Sequence, residues 1–428
     1  MDVRPLLERF ARTKAARPVS SDGRAGGART SWRRRRKRRL SGPRAEPGWT
    51  LVGIRVAYWV GTALALLWLP LRAGIAPFHA YEARTDLLFN TFAQWDAQWF
   101  VSIAEHGYDS KQATSFFPLY PLVVHGVAAV LRSTVVAGVL VSLVSAGVAA
   151  VLIVEIARPL LGPGGARDSL LLVGLYPLAF VFTAVQSDGL FLALSASAFL
   201  AAQRGRGWIA GICGGLAVAT RLVGLALLPA LLLLLWRRGP ARIAPLALLP
   251  AALGGYMLYL HEHVGDWLSF QHAQQIYWTR HTGPLGPISG LWQAFESGRR
   301  GAAGVLLHLP SGQQAPMGYA GKWQVGTWNA IHLALLLVAI VLTWVAWKRL
   351  GPAFGLYSLT TLALVLLSPP PYFPLASFDR YVLVDFPVFL ALASVLRDHP
   401  RARQIVLFTF AAVGAVAAVG YSRKVWIG

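Results

Sequence analysis

The sequence predicts an all-α polytopic membrane protein. Of its 428 residues, 55% are hydrophobic and only 14% are charged, whereas charged residues make up about 25% of ordinary soluble domains. The apolar residues come in long runs, such as Val135–Ile156, Ile331–Trp347 and Gly355–Leu367, which exceed what a soluble core needs. We therefore expect about 11 transmembrane helices, within a range of about 9 to 12.

Residues 1–50 form a basic tail. They hold fifteen Lys/Arg against four Asp/Glu, so half of the net charge of +22 lies here, and Arg33–Arg39 are seven consecutive basic residues. The tail is rich in Gly, Ser, Pro and Ala without apolar periodicity, which predicts disorder. A basic cluster just before a span is retained in the cytoplasm and attracts anionic lipid. We interpret it as a topology signal and not as a nucleic-acid-binding segment.

The first span is predicted at Leu51–Leu71, so residues 78–131 form a first outer loop. Within this loop the apolar segment Leu119–Leu131 is only thirteen residues long, shorter than a bilayer crossing needs, and is expected to lie along the interface or to re-enter. The remaining spans are predicted at 134–157, 168–185, 188–203, 207–220, 222–236, 242–260, 327–348, 352–368, 380–397 and 403–420. The thirty residues 207–236 are expected to form two short or bent helices that turn near Thr220-Arg221.

The distribution of charge supports this arrangement of spans. With the N-terminus in the cytoplasm, five successive turns on that side are basic, as the positive-inside rule requires. The basic residues at these turns are Arg158 and Arg167; Arg204 and Arg206; Arg237, Arg238 and Arg242; Lys348 and Arg349; and Arg397, Arg401 and Arg403. We predict a multi-pass protein of the plasma membrane, with its C-terminus outside and a second large outer loop at 261–326.

Polar residues near the predicted outer ends of the spans are the candidates for function. They are Asp96, Glu105, His106, Asp188, Arg221, Asp379 and Arg380. Ionisable residues at membrane depth are costly, and a functional site is the default hypothesis for them. Their expected convergence on one face disfavours a transporter, because transporters place such groups near the midplane on broken helices of related halves.

Asp96 lies between Trp95 and Trp99, and could act as a general base that takes the proton of an attacking hydroxyl. The structural alternative is an interfacial tryptophan belt in which Asp96 caps a helix. Glu105 lies nine residues further on and could pair with Asp96 if the loop folds back. No second carboxylate forces a paired-acid interpretation, which disfavours hydrolysis.

Two arginines suit an anionic substrate, because the guanidinium fork matches phosphate geometry. Arg221 interrupts an apolar run and could grip phosphate or form an ion pair with Asp188. Arg380 could do the same or be held by its neighbour Asp379. Together with the aromatic surfaces, these groups describe a site where a lipid-borne phosphosugar meets a hydroxyl acceptor. No metal site is predicted, because His261-Glu262-His263 lacks the spacing of known metal pairs.

Several blocks of residues carry a family resemblance. The first runs through Trp95–Phe100, Ile103–Tyr108 and Phe116–Pro121, and the later ones are Gln186–Phe191, Thr220–Gly224 and Gly265–Phe270 with Ala273, Gln274 and Trp278. This series resembles the PIG-V family of GT-C membrane glycosyltransferases, which contains the second mannosyltransferase of GPI-anchor assembly and its bacterial relatives. The collinear matches extend over about residues 50–400.

The resemblance implies a GT-C-like transmembrane domain over residues 51–428, with interfacial helices in the first outer loop. It implies inverting transfer of mannose from a polyprenyl phosphomannose donor to a lipid- or protein-linked acceptor outside the cytoplasm, with Asp96 as the catalytic base. Besides Asp96, we expect substrate contacts from Trp95, Gln98, Trp99, Glu105, His106, Tyr108, Phe117, Asp188, Arg221, Arg380 and Tyr381. Because the Ala-, Arg- and Gly-rich composition is typical of a high-GC bacterial source, GPI is not the expected acceptor.

Some questions stay open at the level of sequence. Relatives usually have proline where this chain has Asp379, which could neutralise Arg380, and Trp267 also replaces a proline. No cofactor is predicted, although a divalent cation could bridge Asp96 and a donor phosphate. The alternative functions are a flippase or transporter for lipid-linked sugar and a pentosyl (arabinosyl) transferase of the same fold. The expected partners are membrane lipids, the polyprenyl-phosphate sugar and the acceptor, without nucleic acid.

The predicted topology is tested by the location of a reporter fused after Gly265. An odd number of crossings before this residue places it outside the cytoplasm, so an enzyme that is active only there should gain activity in the fusion. A fusion that is active only in the cytoplasm would refute the two crossings at 207–236, and a fusion after Arg204 serves as the cytoplasmic control.

Overall fold

A computed structural model describes residues 46–68, 93–307 and 322–422 of the chain. The helices lie in one compact unit, Ala45–Gly428. The predicted basic tail lies outside the described residues except for 46–50, which are helical. The first helix begins at Glu46, a few residues before the predicted start of the first span.

Every regular element in the described part of the chain is helical, which confirms the predicted all-α fold class. The α-helices are α1 (Glu46–Trp68), α2 (Asp96–His106), α3 (Leu119–Leu131), α4 (Thr134–Leu175), α5 (Asp188–Gln203), α6 (Gly207–Thr220), α7 (Leu227–Leu235), α8 (Pro240–Ile243), α9 (Leu248–Val264), α10 (Ser269–Tyr277), α11 (Pro287–Leu307), α12 (Lys322–Val345), α13 (Pro352–Val365), α14 (Phe378–Val384), α15 (Phe386–Leu396) and α16 (Pro400–Ser422). Short 3-10 segments join several of them.

The helices follow the predicted spans closely. Four helical stretches among the described residues are long and apolar enough to cross a membrane, at Thr134–Leu175, Pro240–Val264, Val325–Leu350 and Pro400–Ser422. The first contains a break at Gly162, whose φ of 73° is not helical, and this break separates the predicted spans 134–157 and 168–185. The chain is thus a helical membrane protein, and the number of crossings stays a prediction.

Helix breaks occur where charged residues interrupt the apolar runs. The backbone turns from α6 at Arg221, which is extended (φ −156°, ψ 138°), into the 3-10 segment Leu222–Ala226. This agrees with the two bent helices predicted for 207–236. The predicted span 380–397 is likewise divided, because α14 ends at Val384 and α15 begins at Phe386 on the other side of Asp385.

The segment predicted as a second outer loop, 261–326, is largely helical where it is described. It contains α10 and α11, and α11 packs along α12 through small residues of one face. Gly298 and Gly301 lie in this contact, where an added Cβ would approach Leu333 and Gly326 of α12 to within 2.5 Å or less, whereas Gly290 packs against the backbone of Leu366. The glycine-rich composition that indicated a loop is therefore the packing surface of a helix.

The basic residues of the predicted cytoplasmic turns connect the ends of different helices. Arg204 Nη2 lies 2.8 Å from Glu155 Oε2, and Arg349 Nη1 donates to the carbonyl oxygen of Ser394 at 2.9 Å. These contacts join turns that the charge pattern assigned to one side of the membrane. Which side of the membrane they face stays a prediction of the sequence.

The turn that carries Arg221 depends on a close approach at Gly224. A Cβ on Gly224 would lie 2.6 Å from the backbone nitrogen of Val218 and 2.7 Å from the carbonyl carbon of Ala217, and backbone atoms cannot move aside as a flexible side chain can. We expect Gly224→Ala to lower the stability by about 1–3 kcal/mol, the usual cost of overpacking. Thermal unfolding of the detergent-solubilised protein measures this effect.

The matched control is Gly254→Ala in α9, where an added Cβ meets nothing within 4 Å. Because alanine favours a helix over glycine by up to about 1 kcal/mol, this variant should be neutral or slightly more stable. Equal melting temperatures for the two variants would contradict the close approach at Gly224.

Candidate active site

Asp96 is the first residue of α2 and lies at the edge of the site. The preceding residue, Trp95, has a positive φ of 58°, a conformation that costs a non-glycine residue free energy and is often found at functional sites. The buried face of α2 includes Ala97, Phe100 and Val101, and packs the helix against its neighbours. The Asp96 side chain remains 37% exposed and is therefore accessible to a substrate.

Arg380, on the short helix α14, makes contacts with two other segments. Its Nη1 donates to Asp96 Oδ2 at 2.6 Å. Its Nη2 donates to Asp188 Oδ2 at 2.7 Å and to Gln186 Oε1 at 2.8 Å. The guanidinium thus joins the start of α2 to the start of α5, although 284 residues separate Arg380 from Asp96 in sequence.

Asp188 is fully buried and is shared by two arginines. Its side chain has no exposed surface, and its Oδ1 accepts a hydrogen bond from Arg221 Nη1. The Arg221 guanidinium also lies over the Tyr381 ring, with Cζ 5.1 Å from the ring centroid. The result is a chain of alternating charges from Asp96 through Arg380 and Asp188 to Arg221, which we call the charged cluster.

The sequence left open whether an aspartate pairs with each of the two arginines, and the structure gives a different answer for each. Arg221 does form the ion pair with Asp188. Arg380 is not held by its neighbour: Asp379 Oδ1 accepts from the backbone N–H of Arg380 at 2.9 Å, and Asp379 Oδ2 lies 3.7 Å from His332 Nε2. Asp379 therefore does not neutralise the Arg380 guanidinium, and the expectation that it could do so is wrong.

Aromatic side chains form a wall beside α2. The Trp99 ring, one helical turn from Asp96, stacks on Phe116 with centroids 5.9 Å apart and an interplanar angle of 17°. Phe116 also meets the edge of Trp278 at 5.8 Å. Aromatic faces of this kind can pack against a sugar ring or an isoprenoid chain. Gln98, in the same turn of α2, is half-buried.

Other predicted contact residues lie away from the charged cluster. Tyr108 donates to the carbonyl oxygen of Phe116 at 2.7 Å, and Phe117 packs against Tyr256 and Phe270. Burial raises the pKa of the Tyr108 hydroxyl, which keeps it protonated as a donor. These residues shape the neighbouring aromatic core.

Glu105 and His106 are exposed at the far end of α2. At about 1.5 Å of rise per residue, Glu105 lies about 14 Å along the helix axis from Asp96. The structure therefore does not bring Glu105 next to Asp96 as a second carboxylate. It likewise does not bring His106 into the charged cluster.

Three residues near the site were not predicted from the sequence. Gln186 binds Arg380 through Oε1, Tyr421 donates to the carbonyl oxygen of Gln94 at 2.6 Å, and Arg280 Nη2 donates to the carbonyl oxygen of Ala376 at 3.2 Å. Gln186 belongs to the motif around Asp188, and this motif could have identified it as a site residue. Arg280 lies two residues beyond the last motif position, Trp278, and Tyr421 lies in a segment without a motif.

The chain is similar in sequence to one family of known proteins. Residues 56–235 match the family model described as mannosyltransferase (PIG-V). The GPI alpha-1,6-mannosyltransferase 2 of Mus musculus is 31% identical over 169 residues, which cover 37% of this chain and 34% of that protein. The Rattus norvegicus protein of the same name is 30% identical over 162 residues, which cover 35% and 33%. The matched segment thus spans about a third of the length of these curated relatives.

Solved structures show weaker likenesses. ArnT from Cupriavidus metallidurans, bound to undecaprenyl phosphate, is 16% identical with a TM-score of 0.48, and the match covers 84% of this chain and 63% of that one. The Archaeoglobus fulgidus oligosaccharyltransferase in complex with Zn and sulfate is 13% identical with a TM-score of 0.40, covering 87% and 53%. Likeness at this level supports no statement about substrate or mechanism.

The sequence matches agree with the resemblance predicted from the motifs that begin at Trp95. The segment that they cover contains Asp96, Asp188 and Arg221, three of the four members of the charged cluster. Over residues 56–235 the chain is therefore similar to the PIG-V mannosyltransferases.

Proposed function

We propose that the protein is a membrane glycosyltransferase that transfers mannose from a polyprenyl phosphomannose donor to a lipid- or protein-linked acceptor. The relationship to the PIG-V mannosyltransferases supports the sugar and the reaction class. The observation that carries the proposal is the position of Asp96, an accessible carboxylate held by Arg380 at 2.6 Å beside an aromatic wall.

Asp96 acts as the general base in this proposal. Its Oδ2 is occupied by Arg380, and among the described residues no hydrogen bond is recorded to Oδ1. An acceptor hydroxyl that binds at Oδ1 would give up its proton to the carboxylate while its oxygen attacks the anomeric carbon. The bond between that carbon and the phosphate oxygen breaks, and its electron pair leaves with polyprenyl phosphate. Attack opposite the leaving group inverts the anomeric configuration.

The arginines of the charged cluster provide positive charge for the phosphate. Arg221 and Arg380 are each about 13% exposed and are held on one edge by Asp188. A guanidinium that is anchored in this way is pre-organised, so it loses little conformational freedom when it binds an oxyanion. Since Arg380 already supplies a positive charge next to Asp96, the proposed mechanism does not use a bridging divalent cation.

The membrane context fits a lipid-linked donor. Helices of the bundle present large exposed apolar side chains, among them Leu140, Val144 and Val148 on one face of α4, and such a surface is suited to contact with lipid. A polyprenyl chain could therefore stay in the bilayer while its phosphate reaches the charged cluster. We propose that this end of the bundle faces outward from the plasma membrane, with the N-terminus in the cytoplasm.

The experiment incubates membranes that contain the protein with labelled polyprenyl phosphomannose and follows the label. We expect label in a new glycoside with the wild-type protein and a loss of about 100-fold to 10,000-fold in rate with Asp96→Asn, the range of a missing general base. Asparagine can still accept a hydrogen bond from Arg380, so folding and donor binding should be retained. Asp109→Asn, an exposed aspartate on the same loop, is the matched control and should stay within about twofold of wild type.

Turnover by Asp96→Asn at a rate near that of wild type would refute the base assignment. Movement of unreacted label across the membrane would indicate a flippase in place of a transferase. Transfer from a polyprenyl phosphopentose, with none from the mannose donor, would assign the protein to the pentosyl transferases of similar architecture.

A further inference from the structure

The loop Trp278–Thr282 follows α10 directly and has three contacts with other parts of the chain. Its first residue places the Trp278 ring 5.8 Å from Phe116 on the aromatic side. Its last residue, Thr282, has its Oγ1 2.9 Å from Ser368 Oγ. Between them Arg280 Nη2 donates to the carbonyl oxygen of Ala376 at 3.2 Å, so the loop is attached at three points.

The backbone of this loop shares an unusual property with the rest of the site. Among the described residues, four non-glycine residues have a positive φ, and three of them directly precede site segments. Trp95 precedes Asp96, Ser377 precedes the helix that carries Arg380, and Thr279 precedes Arg280, with φ values of 58°, 61° and 52°. Such conformations persist only where the surroundings enforce them, and they cluster at functional sites.

The charges of the site point to the role of Arg280. In the charged cluster the two carboxylates of Asp96 and Asp188 balance the two guanidiniums of Arg221 and Arg380. Arg280 Nη2 donates a hydrogen bond to a carbonyl oxygen. Among the described residues, no carboxylate lies at salt-bridge distance from its guanidinium. Its charge is therefore not offset by an ion pair within the described part of the chain.

Arg280 lies against the segment that carries Tyr381 and Arg380. The guanidinium of Arg221 stands over the Tyr381 ring, and Arg280 donates to the carbonyl oxygen of Ala376, two residues before the helix α14 that carries both Arg380 and Tyr381. Of these three arginines, Arg280 is the one without a carboxylate partner among the described residues. A guanidinium without such a partner can bind an anion.

We propose that Arg280 binds the phosphate of the lipid-linked donor and of the polyprenyl phosphate that leaves, an inference that rests on the proposed function. The donor phosphodiester carries one negative charge, which can pair with the guanidinium of Arg280. When the bond from the anomeric carbon to the phosphate oxygen breaks, the phosphate becomes a monoester with a charge of about −1.5 to −2 at neutral pH. Arg280 therefore interacts more strongly with the leaving group than with the donor.

The test compares the binding of two probes to the purified full-length protein in detergent: a short-chain polyprenyl phosphate and the corresponding polyprenyl phosphomannose. For Arg280→Gln we expect the dissociation constant of polyprenyl phosphate to rise about tenfold or more, the effect of losing one charge-assisted hydrogen bond. The dissociation constant of the phosphomannose probe should rise less. Arg280→Lys keeps the charge and should recover part of the loss.

The matched control is Arg299→Gln, which removes the same charge from an exposed arginine of α11 that pairs with Glu296. This variant should bind both probes within about twofold of wild type. Unchanged binding of polyprenyl phosphate by Arg280→Gln, in a protein whose wild-type form transfers mannose, would overturn the role of Arg280 alone. A wild-type protein that binds neither probe and transfers no sugar would overturn the proposed function together with it.

Discussion

The burial of the Asp188 carboxylate is the constraint on which the rest of the site depends. A fully desolvated carboxylate costs several kcal/mol unless it is paired and hydrogen-bonded. Asp188 meets this requirement with two guanidiniums, one on each oxygen. Once Arg380 is fixed by Asp188, its second nitrogen reaches Asp96 at 2.6 Å. A buried ion pair therefore determines where the accessible carboxylate lies.

The same interaction connects the site to the packed helices. Arg380 also binds Gln186 Oε1, and the carbonyl oxygen of Gln186 accepts from Ser142 Oγ at 2.9 Å. Ser142 Oγ lies 2.8 Å from the hydroxyl oxygen of Tyr120, which is itself fully buried at the start of α3. Tyr120 belongs to the aromatic block that carries the family resemblance, and here it has a structural role. The block thus combines a chemical residue, Asp96, with residues that hold the helices beside it.

The features that could be predicted from the sequence are those that hydrophobic periodicity or a motif indicates. Apolar runs of span length predicted most helix positions, and the charge pattern predicted the turn at Arg221. The ion pair of Arg221 with Asp188 was one of two stated alternatives, whereas the contact from Arg380 to Asp96 was not expected. Sequence favours a partner that is adjacent, such as Asp379, but the helical backbone of α14 directs the two side chains to different neighbours.

The segment 261–326 shows why other features of the fold and of the site could not be predicted from the sequence. Its glycines and polar residues indicated a loop, yet glycine also permits the close approach of α11 to α12. Arg280 was missed because it lies in that segment, just beyond the last motif position. Arg55 and Asp385 were missed because each is a single polar residue in an apolar run, and both are almost fully buried. Asp385 accepts a hydrogen bond from Ser358 at 2.7 Å, a partner that only the folded chain identifies.

The dependence of the site on Asp188 can be measured with a double-mutant cycle on thermal stability in detergent. Asp188→Asn should be strongly destabilising, by about 3–5 kcal/mol, because it leaves Arg221 without its carboxylate partner and Arg380 with Asp96 alone. Adding Arg380→Gln to this variant removes one of those cations, so we expect the double variant to be more stable than Asp188→Asn alone. Losses that simply add, or an Asp188→Asn variant as stable as the wild type, would contradict the central role of this carboxylate.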